Sequence, residues 1–245
     1  MKKILFSLSL SVGLTLPGMA QQNLFNISSG AITPKGKVFY QHQLNVHALD
    51  NMASKHHLVY GLGNQWEIGL NVVNIGLQPF RRPGRINGAA YDALAPYKPL
   101  GPLVMLTAQK QFRLSNTLAT NVGTQAGLSI PNQERGSHWS HFTYGLLVYE
   151  TDQHLRIVAG PYYSDRFMLG KGNQAGMIAG FEVPVTKRFF LMGDFVSGRT
   201  KGSVSVLGGY YNVTPHFQIC LGKLIPNPGS KEQNGVVLEI NLFNF

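Results

Sequence analysis

The chain is poor in what an ordinary soluble domain uses. Charged residues make up only 13% of its 245 positions, well below the roughly 25% usual in soluble proteins. Acidic residues are scarcest, 11 against 21 lysines and arginines. A single cysteine, Cys220, excludes an internal disulfide framework and any cysteine-based metal knuckle. It lies in an alternating apolar stretch with no electropositive setting around it, so a small buried hydrophobe is expected there rather than a nucleophile. After residue 20 no run approaches the roughly 20 consecutive apolar residues of a membrane helix. The glycines form no nucleotide or phosphate-loop fingerprint. Despite a formal charge of +10, the basic residues stand singly or in short groups, and no basic helix or stripe exists to follow a phosphate backbone, which argues against a nucleic-acid partner.

Residues 1–20 have the composition of a secretory signal. Lys2 and Lys3 precede an apolar stretch from Ile4 to Leu16, and Gly18-Met19-Ala20 places small residues where cleavage would occur. A polar segment, residues 21–36, is expected to be loose and periplasmic, ahead of a barrel domain over 37–245.

From Lys37 onward the sequence alternates with period two, the signature of strands whose successive side chains face opposite sides of a sheet. Strands are predicted at 37–47, 55–62, 65–74, 102–112, 117–128, 138–150, 154–164, 174–183, 188–197, 203–213, 216–225 and 235–245, about twelve in all, an even number as in bacterial membrane barrels. Links at Gly63-Asn64, 114–116, 151–153, 184–187 and Thr214-Pro215 are short and mostly carry turn residues. Those at 48–54, 75–101, 129–137, 165–173, 198–202 and 226–234 are longer. Short turns at one end and long loops at the other suit a transmembrane barrel.

The faces differ in kind. Tyr40, Tyr60, Trp66, Phe112, Phe181, Phe189 and Phe217 fall near the short-turn ends and share parity with aliphatic neighbours, as an interfacial aromatic girdle would. The opposite parity carries Gln43, Asn45, Asn71, Gln109, Asn121, Gln125 and the charged residues Glu67, Arg156, Glu182, Asp194 and Glu239, expected to line a wet pore. Lys110 and Lys223 fall on the apolar parity, where their stems would snorkel to a rim.

The last stretch, Gly235 to Phe245 (GVVLEINLFNF), alternates Val236, Leu238, Ile240 and Leu242 against Glu239 and Asn241. A chain closing on such a strand with a final Phe resembles Gram-negative outer-membrane β-barrels. Here Glu239 and Asn241 hold the parity of Phe245, and a one-residue register shift near the end would bring that ring to the aliphatic face. The resemblance covers nearly the whole chain after residue 36. It implies an all-β, antiparallel up-and-down barrel in the bacterial outer membrane, in contact with outer-membrane lipid and lipopolysaccharide and recognised by barrel-assembly machinery through the C-terminal strand. Tyr60-Gly61-Leu62-Gly63-Asn64-Gln65-Trp66-Glu67-Ile68-Gly69 resembles a hairpin of transporter-like barrels associated with aromatic-compound degradation. Passage of small solutes, porin-like or transporter-like, is the leading expectation, ahead of a plugged structural or adhesive barrel and of a lipid hydrolase.

Candidate chemistry is sparse. Counting outward from the 165–173 loop sets Arg156 opposite Glu182 as a cross-strand ion pair, either rigidifying the interior or selecting solutes. Arg81, Arg82 and Arg85 lie in the long 75–101 link, expected to be an extracellular loop that meets lipopolysaccharide phosphates or sets an anionic preference at the mouth. His56 and His57 have opposite parity, as do His138 and His141, with no carboxylate beside them in sequence, so rim histidines are expected and no metal site. His138-Trp139-Ser140-His141 matches the His-x-Ser of outer-membrane phospholipase A but lacks its following Asn. With no orienting partner for His138, a non-enzymatic protein without a cofactor is expected.

Overall fold

The computed structural model describes residues 23–80, 100–131, 136–230 and 232–243, and the backbone of 86–88. In chain order the strands are β1 (Val38–Ala48), β2 (Asn51–Gly63), β3 (Trp66–Leu77), β4 (Ile86–Gly88), β5 (Leu103–Arg113), β6 (Leu118–Ser129), β7 (Trp139–Glu150), β8 (Arg156–Ser164), β9 (Ala175–Pro184), β10 (Phe189–Val196), β11 (Val204–Thr214), β12 (Phe217–Pro226) and β13 (Gly235–Phe243). Apart from the short β4, each strand pairs antiparallel with its sequence neighbours, and β13 pairs with β1, so a 12-strand sheet closes into an up-and-down barrel. Closure removes the unpaired strand edges that an open sheet would expose. One short helix, α1 (Arg166–Leu169), lies in the link between β8 and β9.

The outer surface is an apolar belt. Leu58, Ile68, Leu70, Leu106, Val122, Leu147, Ile157, Leu191, Leu207, Ile219 and Ile240 are all exposed, on strand after strand around the barrel. Tyr60, Trp66, Phe112, Tyr149, Phe189 and Tyr211 ring the short-turn end on the outside, and Trp139, Tyr163 and Phe195 stand near the long-loop end. Lys110 bends to the short-turn rim as parity requires, donating to Asn64 O and lying 5.2 Å from the Trp66 ring.

Four expectations are corrected. The 48–54 link is not a long loop. β2 begins at Asn51, leaving Leu49-Asp50 as a two-residue connection, because the weakly patterned Asn51–Ser54 extends the ladder. Val46 therefore faces Met52, where a loop over 48–54 would have set it opposite His56. Second, β13 runs from Gly235 to Phe243 against both β12 and β1 with no register shift, so Val236, Leu238, Ile240 and Leu242 face out while Phe243 turns inward against Phe39, 5.2 Å between ring centres. Phe245 lies outside the described residues.

The other two corrections concern the interior. Residues 23–33 are not loose. They enter from the short-turn end, where Gly36 N donates to Gly61 O, and pack inside the barrel with Leu24, Phe25, Ile27, Ser29 and Thr33 buried. Nor is the inner face uniformly wet. β1–β3, β5 and β6 present a largely polar inner wall, whereas β7–β13 present Leu146, Val158, Ile178, Met192, Val206 and Leu224, against which the apolar side chains of the N-terminal segment pack. An aqueous bore would leave such groups in water, and their burial against this segment removes that cost.

Candidate functional site

The N-terminal segment is fixed by the charged residues that strand parity points inward. At its tip, Leu24 N donates to Ile27 O in a tight turn. The Asp194 carboxylate of β10 closes over that turn, accepting from Asn26 N and, at 3.2 Å, from Ile27 N. Lys55 of β2 reaches Asn26 Oδ1 at 3.0 Å from the opposite wall. Farther down, Ser28 Oγ donates to Gln109 Oε1 at 2.7 Å, and Gly30 O accepts from Gln111 and Asn121, each at 2.8 Å. Glu67 accepts from Thr33 N at 2.8 Å. Glu239 accepts from Gln41 at 3.2 Å, and Gln41 in turn accepts from Asn23 at 2.9 Å. A carboxylate meeting backbone N–H groups makes charge-assisted bonds stronger than neutral ones. The polar wall, joined by Asp194 from the other wall, thus grips the backbone of a segment whose apolar side chains face β7–β12.

Glycines shape the sockets. A Cβ at Gly180 would lie 2.1 Å from Leu24 Cδ1, and one at Gly222 would lie 2.7 Å from Phe25 Cζ. Gly30 has φ +78°, and a Cβ there would meet Val148 at 2.4 Å, so the segment turns beneath its tip at a position suited to glycine.

Arg156 and Glu182 meet at the short-turn end of the interior. They are direct cross-strand partners, Arg156 Nη1 to Glu182 Oε2 at 2.9 Å, and Glu150 adds a second contact to Arg156 Nη2 at 2.9 Å. All five predicted interior charges face inward, at 1–6% exposure. Gln41, Asn121, Gln218 and Asn241 beside them are 0% exposed, so among the described residues the polar groups of the lower half are closed off from solvent.

Above the N-terminal segment a cavity of about 620 Å³ extends to the long-loop rim. Asn23, Phe25 and Asn26 line its floor. Gln43, Asn45, Lys55, His57, Asn71 and Gln125 form one side, and Phe142, Tyr144, Val196, Val204 and Leu224 the other. α1 folds over its edge with Met168 and Leu169. Asp165 holds that fold by capping Phe167 N at 2.6 Å and Met168 N at 3.1 Å, while its second oxygen takes His141 N at 2.6 Å.

The same carboxylate decides the His138–His141 stretch. Ser140 is fully buried, and its hydroxyl donates to Asp165 at 3.1–3.2 Å. His141 Nδ1 lies 3.2 Å from Asp165, and His138 stacks on Phe167 at 4.8 Å. A carboxylate therefore does stand beside His141, which the sequence order concealed because it arrives from the far end of the next strand. The phospholipase-like pairing of His138 with Ser140 gives way to a loop anchor.

His56 and His57 point to opposite faces as expected, but the shortened first turn sets His56 opposite His42 on the outer face. Tyr40 and Ser54 complete a polar cluster there that the sequence reading missed. Among the described residues no three His, Cys, Asp or Glu side chains converge to hold a metal ion. Arg81, Arg82 and Arg85 lie outside the described residues. No protein-family model matches the chain, and no curated protein matches it.

Proposed function

We propose that the protein is an outer-membrane barrel that receives small polar solutes in a cup open at the long-loop end and is sealed beneath by its own N-terminal segment. The observation that carries this reading is the segment 23–33 filling the lower interior under a cavity of about 620 Å³. The exposed apolar belt supports a lipid surround, since soluble monomers rarely expose contiguous apolar patches beyond a few hundred Å². Aromatic rings at both ends of the strands match the two interfaces of a bilayer. In this orientation the long loops face the cell exterior, residues 1–20 are a cleaved export signal, and Arg81, Arg82 and Arg85 meet lipopolysaccharide phosphate. Glu67 and Asp194 latch the segment directly and Glu239 through Gln41, and solutes pass only when that segment leaves the interior. A permanently plugged adhesive barrel is the second reading, favoured by the number of latches.

A reducible cross-link separates the two. In a Cys220→Ala background, Ser28→Cys and Gln109→Cys are bridged by a short bis-thiosulfonate reagent, and solute-driven swelling of proteoliposomes is followed. Swelling in glycerol or monosaccharide solutions is expected only after reduction. Equal swelling with the bridge closed would remove the need for displacement. No swelling in either state would favour the permanently plugged barrel.

A further inference from the structure

On β1 and β2 the outer face carries a polar cluster whose neighbouring outward positions are apolar. Ser54 and His56, two residues apart on β2, face outward together. Across the β1–β2 ladder lie His42 and Tyr40. Tyr40 Oη is 2.9 Å from His56 Nδ1, and His56 Nε2 is 3.3 Å from Ser54 Oγ. His42 Nε2 lies 3.3 Å from the same Ser54 Oγ, and the two imidazole centres are 4.4 Å apart. Neighbouring outward positions are Leu44, Leu58, Leu70, Leu238 and Ile240. Mutual satisfaction of polar groups accounts for the bonds. It leaves open why a lipid-facing belt, where polar side chains are costly and tend to be functional, holds Ser, Tyr and two His at one point.

We propose that Ser54, His56 and Tyr40 are a nucleophile, a general base and its positioning group, which cleave carboxylic esters of membrane acyl lipids. The proposal rests on the belt being lipid-facing. With His56 Nδ1–H donating to Tyr40 Oη, Nε2 is left to accept the hydroxyl proton of Ser54, the linear relay that nucleophilic catalysis needs. Ser54 is 3% exposed, so the His42 ring swings aside to admit the ester, and its N–H then faces the carbonyl oxygen as the negative charge develops. Ser54 Oγ bonds to the acyl carbon as its proton passes to His56. The tetrahedral adduct collapses, the acyl–oxygen bond to the alcohol breaks, and the alcohol leaves with that proton. Water, deprotonated by His56, attacks the acyl-serine, releases the carboxylic acid and restores Ser54. Its place near the long-loop end of β2, which begins at Asn51, sets Ser54 toward one edge of the belt, where lipid ester bonds meet the headgroups.

The test uses the refolded barrel, checked for heat-modifiable mobility, in detergent with p-nitrophenyl butyrate and in vesicles of phosphatidylcholine and phosphatidylglycerol. Hydrolysis of both substrates and fluorophosphonate labelling that maps to Ser54 are expected. Ser54→Ala should lower the rate about 10³-fold, and Tyr40→Phe should lower kcat about tenfold with KM unchanged. Ser140→Ala should leave the rate as it was. Turnover unaltered by Ser54→Ala, or an inserted barrel that neither hydrolyses nor labels, would overturn the assignment. A barrel that cleaves the micellar ester yet does not enter vesicles would keep the three residues and overturn the membrane reading instead.

Discussion

At the scale of single residues, the interior is organised by charges that must find partners once water is gone. Arg156 shows what that demands. It is 3% exposed and sits between Glu182 and Glu150. Removing one member of a buried ion pair leaves the other uncompensated, at about 3–5 kcal/mol, whereas replacing both with apolar groups is often neutral. Arg156→Ala should therefore lower the urea-unfolding free energy by about 3 kcal/mol, and Arg156→Met with Glu182→Leu should recover most of it. A single-variant loss below about 1 kcal/mol would mean that water reaches the pair. This pair was legible in the sequence because the 165–173 link fixes the β8–β9 register. The His42–His56 contact was not. Its register depends on the two residues between β1 and β2, and although Asp50 and Asn51 favour a turn, Ala48–Ser54 has no glycine or proline to fix its length at Leu49-Asp50.

At the scale of elements, strand positions were readable from alternation because most strands turn a mainly apolar, exposed face outward. The N-terminal segment was not, since it has no regular period and binds by single side chains. Its trace in the sequence is indirect, in Leu24, Phe25 and Ile27 within a polar stretch, and in glycines at the inward positions 180 and 222. Those glycines give the most direct control of the element. Gly180→Val would push into Leu24 and Ile27, which a Cβ already meets at 2.1 and 3.3 Å. Overpacking of this kind costs on the order of 1–3 kcal/mol. The variant should keep its barrel yet label a cysteine placed at Asn26 with a water-soluble maleimide about tenfold faster or more. An unchanged rate would show that the segment is held by its polar contacts alone. The α1 loop differs in kind, because Asp165 ties it to β7 from below and its position follows from that one carboxylate.

At the scale of the whole molecule, two amphipathic surfaces meet. The barrel turns an apolar belt outward and a split interior inward, and the N-terminal segment completes the interior, its apolar side chains against β7–β12 and its backbone held by Glu67 from one wall and Asp194 from the other. Parity in the sequence pointed Glu67, Asp194 and Glu239 inward, but whether they border water or another segment of the same chain depends on what enters the lumen, which strand periodicity does not encode. The central claim is that this segment seals the barrel. Its most direct test is single-channel current from the intact refolded protein and from a variant lacking residues 21–33, each shown to be folded by heat-modifiable mobility. The account predicts no steady conductance from the intact protein and stable steps from the shortened one. Steps of the same size from both would contradict it.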